Sequence, residues 1–147
     1  MSVADQIGEI SLFRDLSEEE RERLLRFAIV EEFETDVTLF TEGKRVGQVM
    51  YVVLSGAVEI LKRDKAGNNG PLTTLRQNAF FDEMSLFEHQ ERSATARIKE
   101  SGEFLVVTKV AFDRMMKNDP AIVNQMLLVF IRTFSQWLRP TSSLYAG

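Results

Sequence analysis

The sequence contains no cysteine, one histidine and three prolines, and none of its hydrophobic runs approaches the length of a membrane span. Without cysteine the chain can form neither a disulfide nor a nucleophilic thiolate, which is typical of proteins in a reducing cytosol. The first ten residues lack the basic start and apolar run of a signal peptide, so we expect a cytoplasmic location. A metal centre needs several convergent imidazole or carboxylate ligands, so His89 alone predicts no metal site.

Negative charge exceeds positive charge, and the positive charge is not clustered. The net charge is −4 at pH 7, the pI is about 5.1, and no block of lysine and arginine stands out. A non-specific nucleic-acid surface needs clustered cations to displace counterions, so we do not expect direct DNA binding. The chain also lacks a Ser-His-Asp arrangement, a Gly-rich phosphate loop and paired catalytic carboxylates, which predicts a binding protein rather than an enzyme.

What is present is a series of short apolar segments at regular spacing. A length of 147 residues with ordinary globular composition predicts one domain, 1–147. Ser17 and Glu20 have the spacing of a capping box, which predicts an N-terminal helical segment within 5–28. Brief apolar runs separated by turn residues predict a β-sandwich or roll over 29–108. Strands are expected at 29–33, 37–40, 50–54, 57–62, 72–75, 95–99 and 103–108, with a polar hairpin tip at 64–71.

Two helices are predicted at the end of the chain, within 110–138. Asp119 followed by Pro120 marks the start of the second helix, as a capping acid and a proline at the first helical position. This helix is expected over 121–138, because Pro140 should end it. Over this range it is the longest predicted helix or strand of the chain.

The apolar face of this last helix is unusually wide. On a helical wheel its apolar side chains fill an arc of roughly 200°, about twice the width that one core contact needs. The remaining face is polar apart from Leu128, so the helix is not a membrane span. We expect one half of the arc to pack on the β-roll and the other half to form a homodimer.

The most informative stretch spans 79–98. It begins with a pair of phenylalanines, continues with Asp82-Glu83 and one predicted helical turn over 84–87, and reaches Arg92 after a polar loop. Backbone N–H groups at the start of such a turn lack partners and favour an anion. Arg92 is the candidate fork donor for that anion, and Glu83 is suited to accept hydrogen bonds from a sugar hydroxyl.

At these residues the sequence resembles the phosphate-binding cassette of cyclic nucleotide-binding domains, the module of the catabolite activator family, protein kinase A regulatory subunits and gated channels. The family pattern is Phe-Gly-Glu, an apolar residue, Ala or Ser, and Leu, followed after a gap by Pro-Arg, Ala, Ser or Thr, Ala and Thr. This chain has FDEMSL at 81–86 and ERSAT at 91–95. Gly43 and the Ser55-Gly56 turn also match the family's entry loop and central hairpin.

The resemblance implies a fold, a ligand and a set of site residues. The fold is mainly β, a double-stranded β-helix or jelly-roll-like β-roll with an N-terminal helix and a long C-terminal helix. The ligand is cAMP or cGMP, with no other cofactor, and its binding is expected to signal to a partner through the C-terminal helix, which in this family often dimerises. By position in the motif, the ligand-binding residues are Phe81, Asp82, Glu83, Met84, Ser85, Arg92, Ser93 and Ala94. Trp137 is a candidate base contact, and core or dimer packing is its other interpretation.

The chain departs from the family pattern at Asp82, where the family has Gly, and at Glu91, where it has Pro. If the backbone at residue 82 has a positive φ, a non-glycine residue costs about 1–2 kcal/mol. A carboxylate about 6 Å from a bound phosphate costs from about 0.7 kcal/mol in water-like screening to about 3 kcal/mol at a dielectric near 20. Affinity would then fall between about threefold and more than a hundredfold. The alternative is a degenerate domain that binds no nucleotide and acts as a dimerisation or docking scaffold.

Overall fold

Two four-stranded antiparallel sheets form the centre of the computed structural model, which describes residues 2–146 and the side chains of 2–136 and 138. The strands are β1 (Ile29–Phe33), β2 (Thr38–Phe40), β3 (Val49–Val53), β4 (Ala57–Arg63), β5 (Asn69–Leu75), β6 (Phe80–Phe81), β7 (Thr95–Glu100) and β8 (Gly102–Thr108). One sheet has the order β1-β8-β3-β6 and the other β2-β7-β4-β5. Apart from the β4-β5 hairpin, consecutive strands therefore cross between the sheets, and the predicted mainly-β roll is confirmed.

Helices flank the roll at both ends: α1 (Val3–Ile7), α2 (Glu18–Leu24), α3 (Lys109–Asn118) and α4 (Pro120–Ala146). The predicted capping box is confirmed at α2, since the Ser17 hydroxyl accepts from the Glu20 amide and the Glu20 carboxylate accepts from the Ser17 amide. Between residues 2 and 146, no helix combines the length and the apolar character that crossing a membrane requires.

The hairpin between β4 and β5 is tighter than predicted. The polar tip was expected over 64–71, but β5 already begins at Asn69, so the end of that prediction is wrong. Pro71 pairs with Leu61 beside an irregularity between Ile60 and Leu61. Because β5 is an edge strand, the N–H that proline lacks is not needed by a further strand.

The boundaries of α4 also differ from the prediction. The helix begins at Pro120 as expected, but the Asp119 carboxylate accepts a 2.7 Å hydrogen bond from Arg23 Nε instead of capping the helix. At the other end the helix passes Pro140 and continues to Ala146, so the prediction that proline ends it is wrong. An internal proline removes one backbone donor, and the helix continues on both sides of that missing bond.

Most of the apolar arc of α4 packs on the domain. Ile122, Val123, Met126 and Phe130 are buried in the cluster that joins the helices to the first sheet, and Leu127, Val129 and Phe134 are half-buried against it. At the outer edge of the arc, Ile131 is 62% exposed and Leu138 is 63% exposed. The prediction that half of this face stays free is therefore too large, and the exposed part is this edge.

A second apolar cluster lies between the two sheets and supports the loop that follows β6. It includes Phe40 of β2, Phe81 of β6 and Phe104 of β8. Phe81 pairs with Tyr51 of β3 in the sheet, and their rings stack with centroids 5.1 Å apart. The loop over 82–94 thus leaves one sheet at a fixed residue and enters the other at β7.

Candidate functional site

The loop between β6 and β7 encloses a cavity of about 330 Å³. A volume of this size falls at the lower end of the range for small-molecule sites. The loop contributes one 3-10 helical turn (Glu83–Leu86), one residue earlier than predicted. The cavity is lined by Phe40, Ile60, Leu75, Phe80, Phe81, Asp82, Glu83, Met84, Arg92, Ser93 and Ala94. Seven of the eight ligand-binding residues expected from the sequence therefore meet at one cavity.

Asp82 has the left-handed backbone conformation that the family's glycine suggested. Its φ is 64° and its ψ is 20°, and its side chain does not cap the following turn. The main-chain oxygen of Asp82 accepts from both the amide and the hydroxyl of Ser85, which fixes this strained residue in place. Aspartate is among the few residues that visit this region without a large penalty.

Arg92 is buried with its guanidinium directed into the loop. Its Nε donates to Asp82 Oδ2 at 3.1 Å, and its Nη2 lies 2.9 Å from the same oxygen. Nη2 also donates to the Gly47 carbonyl at 2.7 Å, and the guanidinium lies 5.2 Å from the centre of the Phe40 ring. Arg92 therefore points where the sequence predicted a phosphate, and it meets a carboxylate of its own chain there.

Burial is the main electrostatic influence on Asp82. It raises the pKa of this carboxyl from 3.8 to about 6, although Arg92 acts in the opposite direction through charge and hydrogen bonding. The value of about 6 already includes a smaller contribution from Glu83, which raises the pKa because two carboxylates on adjacent residues repel. Desolvation thus outweighs the ion pair at this position.

Glu83 is buried at the cavity wall. Burial raises the pKa of its carboxyl, and a hydrogen bond from its own backbone N–H partly offsets this effect. Among the side chains that the structure describes, none donates a hydrogen bond to this carboxylate. Its remaining acceptor positions are therefore available to a ligand's hydroxyl groups.

The other predicted site residues have different surroundings. The Ser85 hydroxyl donates to main-chain oxygens and accepts from the Val49 amide, so it serves the loop itself and lies outside the main cavity. Met84 is 41% exposed at the cavity mouth. The Ser93 carbonyl accepts from Lys62 Nζ at 2.6 Å, beside Ala94 on the lining. The side chain of Trp137 lies outside the described residues.

Sequence reasoning missed several residues of the cavity wall. Phe40, Ile60 and Leu75 come from three strands of the second sheet and contribute apolar side chains to its lining. In the sequence they have only the pattern of core residues, so nothing marked them as lining a cavity. The Gly47 carbonyl that accepts from Arg92 was missed as well, because a backbone acceptor has no signature in the sequence.

A smaller hollow of about 230 Å³ lies on the outer side of the same loop. Asp82 and Arg92 contribute to both spaces, and Glu88, Gln90 and Glu91 line only the outer one. Met84 and Ser93 also line both spaces, so the ion pair lies at the border between the two.

Within residues 2–136 and 138, no group of three histidine, aspartate or glutamate side chains has the arrangement of a metal site. His89 instead places Nε2 3.1 Å from the Val46 carbonyl. The polar chemistry of the site thus consists of one buried arginine, two buried carboxylates and the backbone of the loop.

The fold and the site together define a class of protein: a β-roll that holds a small-molecule cavity beneath the loop joining its two sheets. Residues 30–119 match the family described as "Cyclic nucleotide-binding domain", and this chain belongs to that family. The family resemblance read from the sequence is therefore confirmed.

Relatives of known function are larger than this chain. The cAMP-dependent protein kinase regulatory subunit of Yarrowia lipolytica is 29% identical over 122 residues, which are 78% of this chain and 32% of that protein. The cAMP-activated global transcriptional regulator CRP of Salmonella typhimurium is 29% identical over 98 residues, 66% of this chain and 46% of that protein. The chain thus spans between about a third and about half of their lengths.

Solved structures share the fold. A cyclic nucleotide-binding domain from Methylobacillus flagellatus superimposes with a TM-score of 0.78 at 23% identity. The match covers 96% of this chain and 79% of that one. At this identity the likeness establishes the architecture, and the chemistry of the site has to be argued from its own residues.

Proposed function

We propose that this domain reversibly binds a cyclic nucleotide, cAMP or cGMP, and passes the binding event to a partner through α4. The observation that carries the proposal is that Arg92 and Glu83, both only 7% exposed, line the same cavity. Arg92 would hold the cyclic phosphate, and Glu83 would accept a hydrogen bond from the ribose 2′-hydroxyl. The apolar strands around them would cover the base.

Aromatic contacts support a route from the loop to the C-terminal helices. The ring of Phe87, just after the 3-10 turn, lies 5.7 Å from that of Phe112 in α3 and 5.8 Å from that of Phe130 in α4. Phe80 of β6 also packs on Phe130, at 6.0 Å. A ligand that tightens the loop would therefore bias the position of α4, provided that it binds the two positions with different affinity.

The exposed edge of the apolar arc on α4, at Ile131 and Leu138, would serve the partner contact, most simply with a second copy of this chain. The family is one of binding domains, and the absence of catalysis stays a prediction for this chain. The cytoplasmic location, the lack of direct DNA contact and the lack of any cofactor also stay predictions.

Calorimetry with cAMP and with cGMP tests the proposal. We expect a dissociation constant in the micromolar range or below. Arg92→Ala should weaken binding at least tenfold, about 1.4 kcal/mol, because the phosphate loses its cation and meets an unpaired Asp82. Arg63→Ala is the matched control, since Arg63 is an exposed arginine of β4 outside the cavity lining.

The role of Glu83 has its own comparison within the same experiment. Replacing cAMP by its 2′-deoxy analogue should weaken binding to the wild type and leave binding to Glu83→Gln nearly unchanged. Thermal unfolding of each variant checks that the loop remains folded. If neither cyclic nucleotide produces heat at millimolar concentration, the proposal is wrong.

One observation favours a second function. Arg92 already has an anionic partner in Asp82, so the loop is stable without a ligand. On this alternative the domain is a nucleotide-independent scaffold for dimerisation or docking. The absence of heat at millimolar nucleotide, combined with a stable dimer, would support it.

A further inference from the structure

We propose that the Asp82 carboxylate competes with the ligand's phosphate for Arg92, and that protonation of Asp82 opens the site, so that nucleotide binding takes up one proton. This inference rests on the function proposed above and concerns the regulation of that site. The feature that motivates it is the buried ion pair between the two side chains.

The pair occupies the edge of the guanidinium that would bind a phosphate. Arginine recognises phosphate through two parallel N–H donors. In this loop Nε and Nη2, which form such a pair of donors, lie 3.1 Å and 2.9 Å from the same Asp82 oxygen. Nη2 also donates to Gly47, and Nη1 donates to the Gln90 carbonyl at 3.5 Å. An incoming phosphate therefore has to displace the carboxylate before it can reach this edge.

The carboxylate has little freedom to leave. The Asp82 side chain is 10% exposed, and two hydrogen bonds from Ser85 to the Asp82 main-chain oxygen hold its backbone. If the charged carboxylate stayed beside the ligand, two anions would share one buried arginine, which the low local dielectric makes unfavourable. Neutralising Asp82 removes the repulsion and breaks the ion pair that holds its side chain at the guanidinium edge, so the side chain can rotate away about χ1 without any change of the backbone.

The groups around Asp82 determine how readily it takes up a proton. Arg92 opposes protonation from across the loop, whereas Glu83 on the same turn favours it. Tyr51 faces the pair from β3, and Glu88 borders the outer hollow on the opposite side. Burial dominates these influences and raises the pKa of Asp82 to about 6. The carboxyl therefore changes its charge across the pH range in which the folded protein can be titrated.

Apparent affinity then follows the protonated fraction of Asp82. The apparent affinity is the intrinsic affinity multiplied by the fraction of molecules that are competent to bind. For a pKa of 6, the protonated fraction of Asp82 falls from about 0.9 at pH 5 to about 0.01 at pH 8. We expect cAMP to bind roughly a hundredfold more weakly at pH 8 than at pH 5. Between pH 7 and pH 8 the dissociation constant for cAMP should rise close to tenfold.

Calorimetry of the intact chain with cAMP at pH 5, 6, 7 and 8 tests this, in pairs of buffers that differ in ionisation enthalpy. The wild type should take up close to one proton per bound nucleotide at pH 7 and above. Asp82→Asn keeps the shape and the tolerance for a positive φ but carries no charge, so it should bind tightly at every pH without proton uptake. Asp82→Gly is the second variant, because glycine accommodates the same backbone freely.

Two control variants separate Asp82 from its neighbours. Glu88→Gln removes an exposed carboxylate from the same loop and should keep the wild-type pH dependence. His89→Gln removes the only imidazole, a group that commonly titrates between pH 5 and 8, and should also keep it. A pH dependence that disappears with His89→Gln would overturn the assignment to Asp82.

The outcomes also distinguish this inference from the proposed function. If the wild type binds cAMP with the same constant from pH 5 to 8 and without proton uptake, the competition is refuted and the function stands. If no variant binds nucleotide, the function fails. The ion pair can then be tested in the ligand-free protein by NMR, with inorganic phosphate as the probe. The chemical shift of the Arg92 Nε proton should change as Asp82 loses its proton near pH 6, and inorganic phosphate should perturb this signal only below that pH. In Asp82→Asn the pH-dependent change should be absent and phosphate should perturb the signal at every pH; without these effects the inference fails too.

Discussion

At the scale of single residues, Asp82 combines a left-handed backbone conformation with a charged side chain, whereas a glycine there would have no side-chain charge. Its φ of 64° strains an ordinary residue, and its carboxylate brings charge into a buried loop. The strain is about 1–2 kcal/mol for most residues and less for aspartate. Position 82 therefore keeps the backbone shape of the family while changing the electrostatics of the loop.

The free energy of unfolding should depend on pH through the ionisation of Asp82. Its pKa is raised from 3.8 to about 6, so the folded protein holds a proton at pH 5 that the unfolded chain releases. Stability from a raised carboxyl pKa is fully present below about pH 4 and is lost as the pH rises through about 6. Relative to Asp82→Asn, the wild type should lose about 2 kcal/mol of unfolding free energy between pH 4 and pH 7.

Urea unfolding of both proteins at pH 4, 5, 6 and 7 measures this difference. Taking the difference between the two proteins removes the contributions of all other groups that titrate alike in both. A difference that stays constant over this range would contradict the raised pKa.

The sequence predicted which residues would form the site but not how they would pair. Spacing in the motif brought Glu83 and Arg92 to the cavity, and the resemblance suggested the positive φ of Asp82. The contact between Asp82 and Arg92 joins residues ten apart across an irregular loop, where no periodicity constrains the geometry. Ser85 was expected at the ligand, but its hydroxyl is used by the loop backbone.

At the scale of elements, two turns pack backbone against backbone. The sequence predicted the Ser55-Gly56 turn between β3 and β4, and Gly56 has a φ of 87° there. A Cβ on Gly56 would lie 2.5 Å from the Glu100 carbonyl oxygen, and one on Gly102 would overlap the Ser55 carbonyl. Only the folded roll brings the β7-β8 turn against this one.

Gly56→Ala should therefore destabilise the protein by more than its backbone strain. Gly67 is a matched control, because its φ is 86° and no atom lies within 4 Å of the position that a Cβ would take. Both substitutions pay the left-handed strain, and only Gly56→Ala adds an overlap with main-chain atoms that cannot rotate away. We expect Gly56→Ala to cost at least about 2 kcal/mol more than Gly67→Ala.

Chemical unfolding of the two variants measures this difference. Equal losses of stability would show that the β7-β8 turn moves aside at little cost. Circular dichroism of both proteins before unfolding checks that the roll is retained.

The start of α4 illustrates competition between local and tertiary interactions. A capping acid before Pro120 is a sound local expectation, worth about 1 kcal/mol. Arg23 of α2 lies within reach only in the folded protein, and its guanidinium takes the Asp119 carboxylate instead. Helix α4 begins at Pro120 as predicted, but the contact with α2 determines which partner the Asp119 side chain binds.

At the scale of the whole molecule, the cavity and the C-terminal helix belong to one connected structure. The lining combines strands of both sheets, and Phe130 of α4 contacts rings on either side of the loop. The outer edge of the α4 arc remains exposed, with Ile131 at 62% and Leu138 at 63%. Covering such a surface with a second copy removes apolar area from water.

The predicted homodimer through α4 can be tested by introducing one charged side chain on its exposed apolar surface. Ile131→Asp places a carboxylate on the exposed edge of the arc and should shift the protein to a monomer in sedimentation velocity experiments. Gln136→Asp introduces the same charge on the polar face of the same helix and should leave the dimer intact. A wild-type protein that sediments as a monomer at high concentration would contradict the prediction, and so would equal dissociation of both variants.

The sequence by itself determined the order of every strand except the short β6, the two C-terminal helices, the family, the identity of the charged residues at the site and the face of α4 that packs inward. These follow from short-range rules: turn residues, capping spacings, helical periodicity and a motif of contiguous residues. The tertiary structure alone decided that Arg92 pairs with Asp82, that three distant strands complete the cavity and that Asp119 binds Arg23. Each of these depends on burial and on contacts between residues far apart or held in an irregular loop. The free energy of such contacts is set by distance and dielectric in the folded chain rather than by position along it.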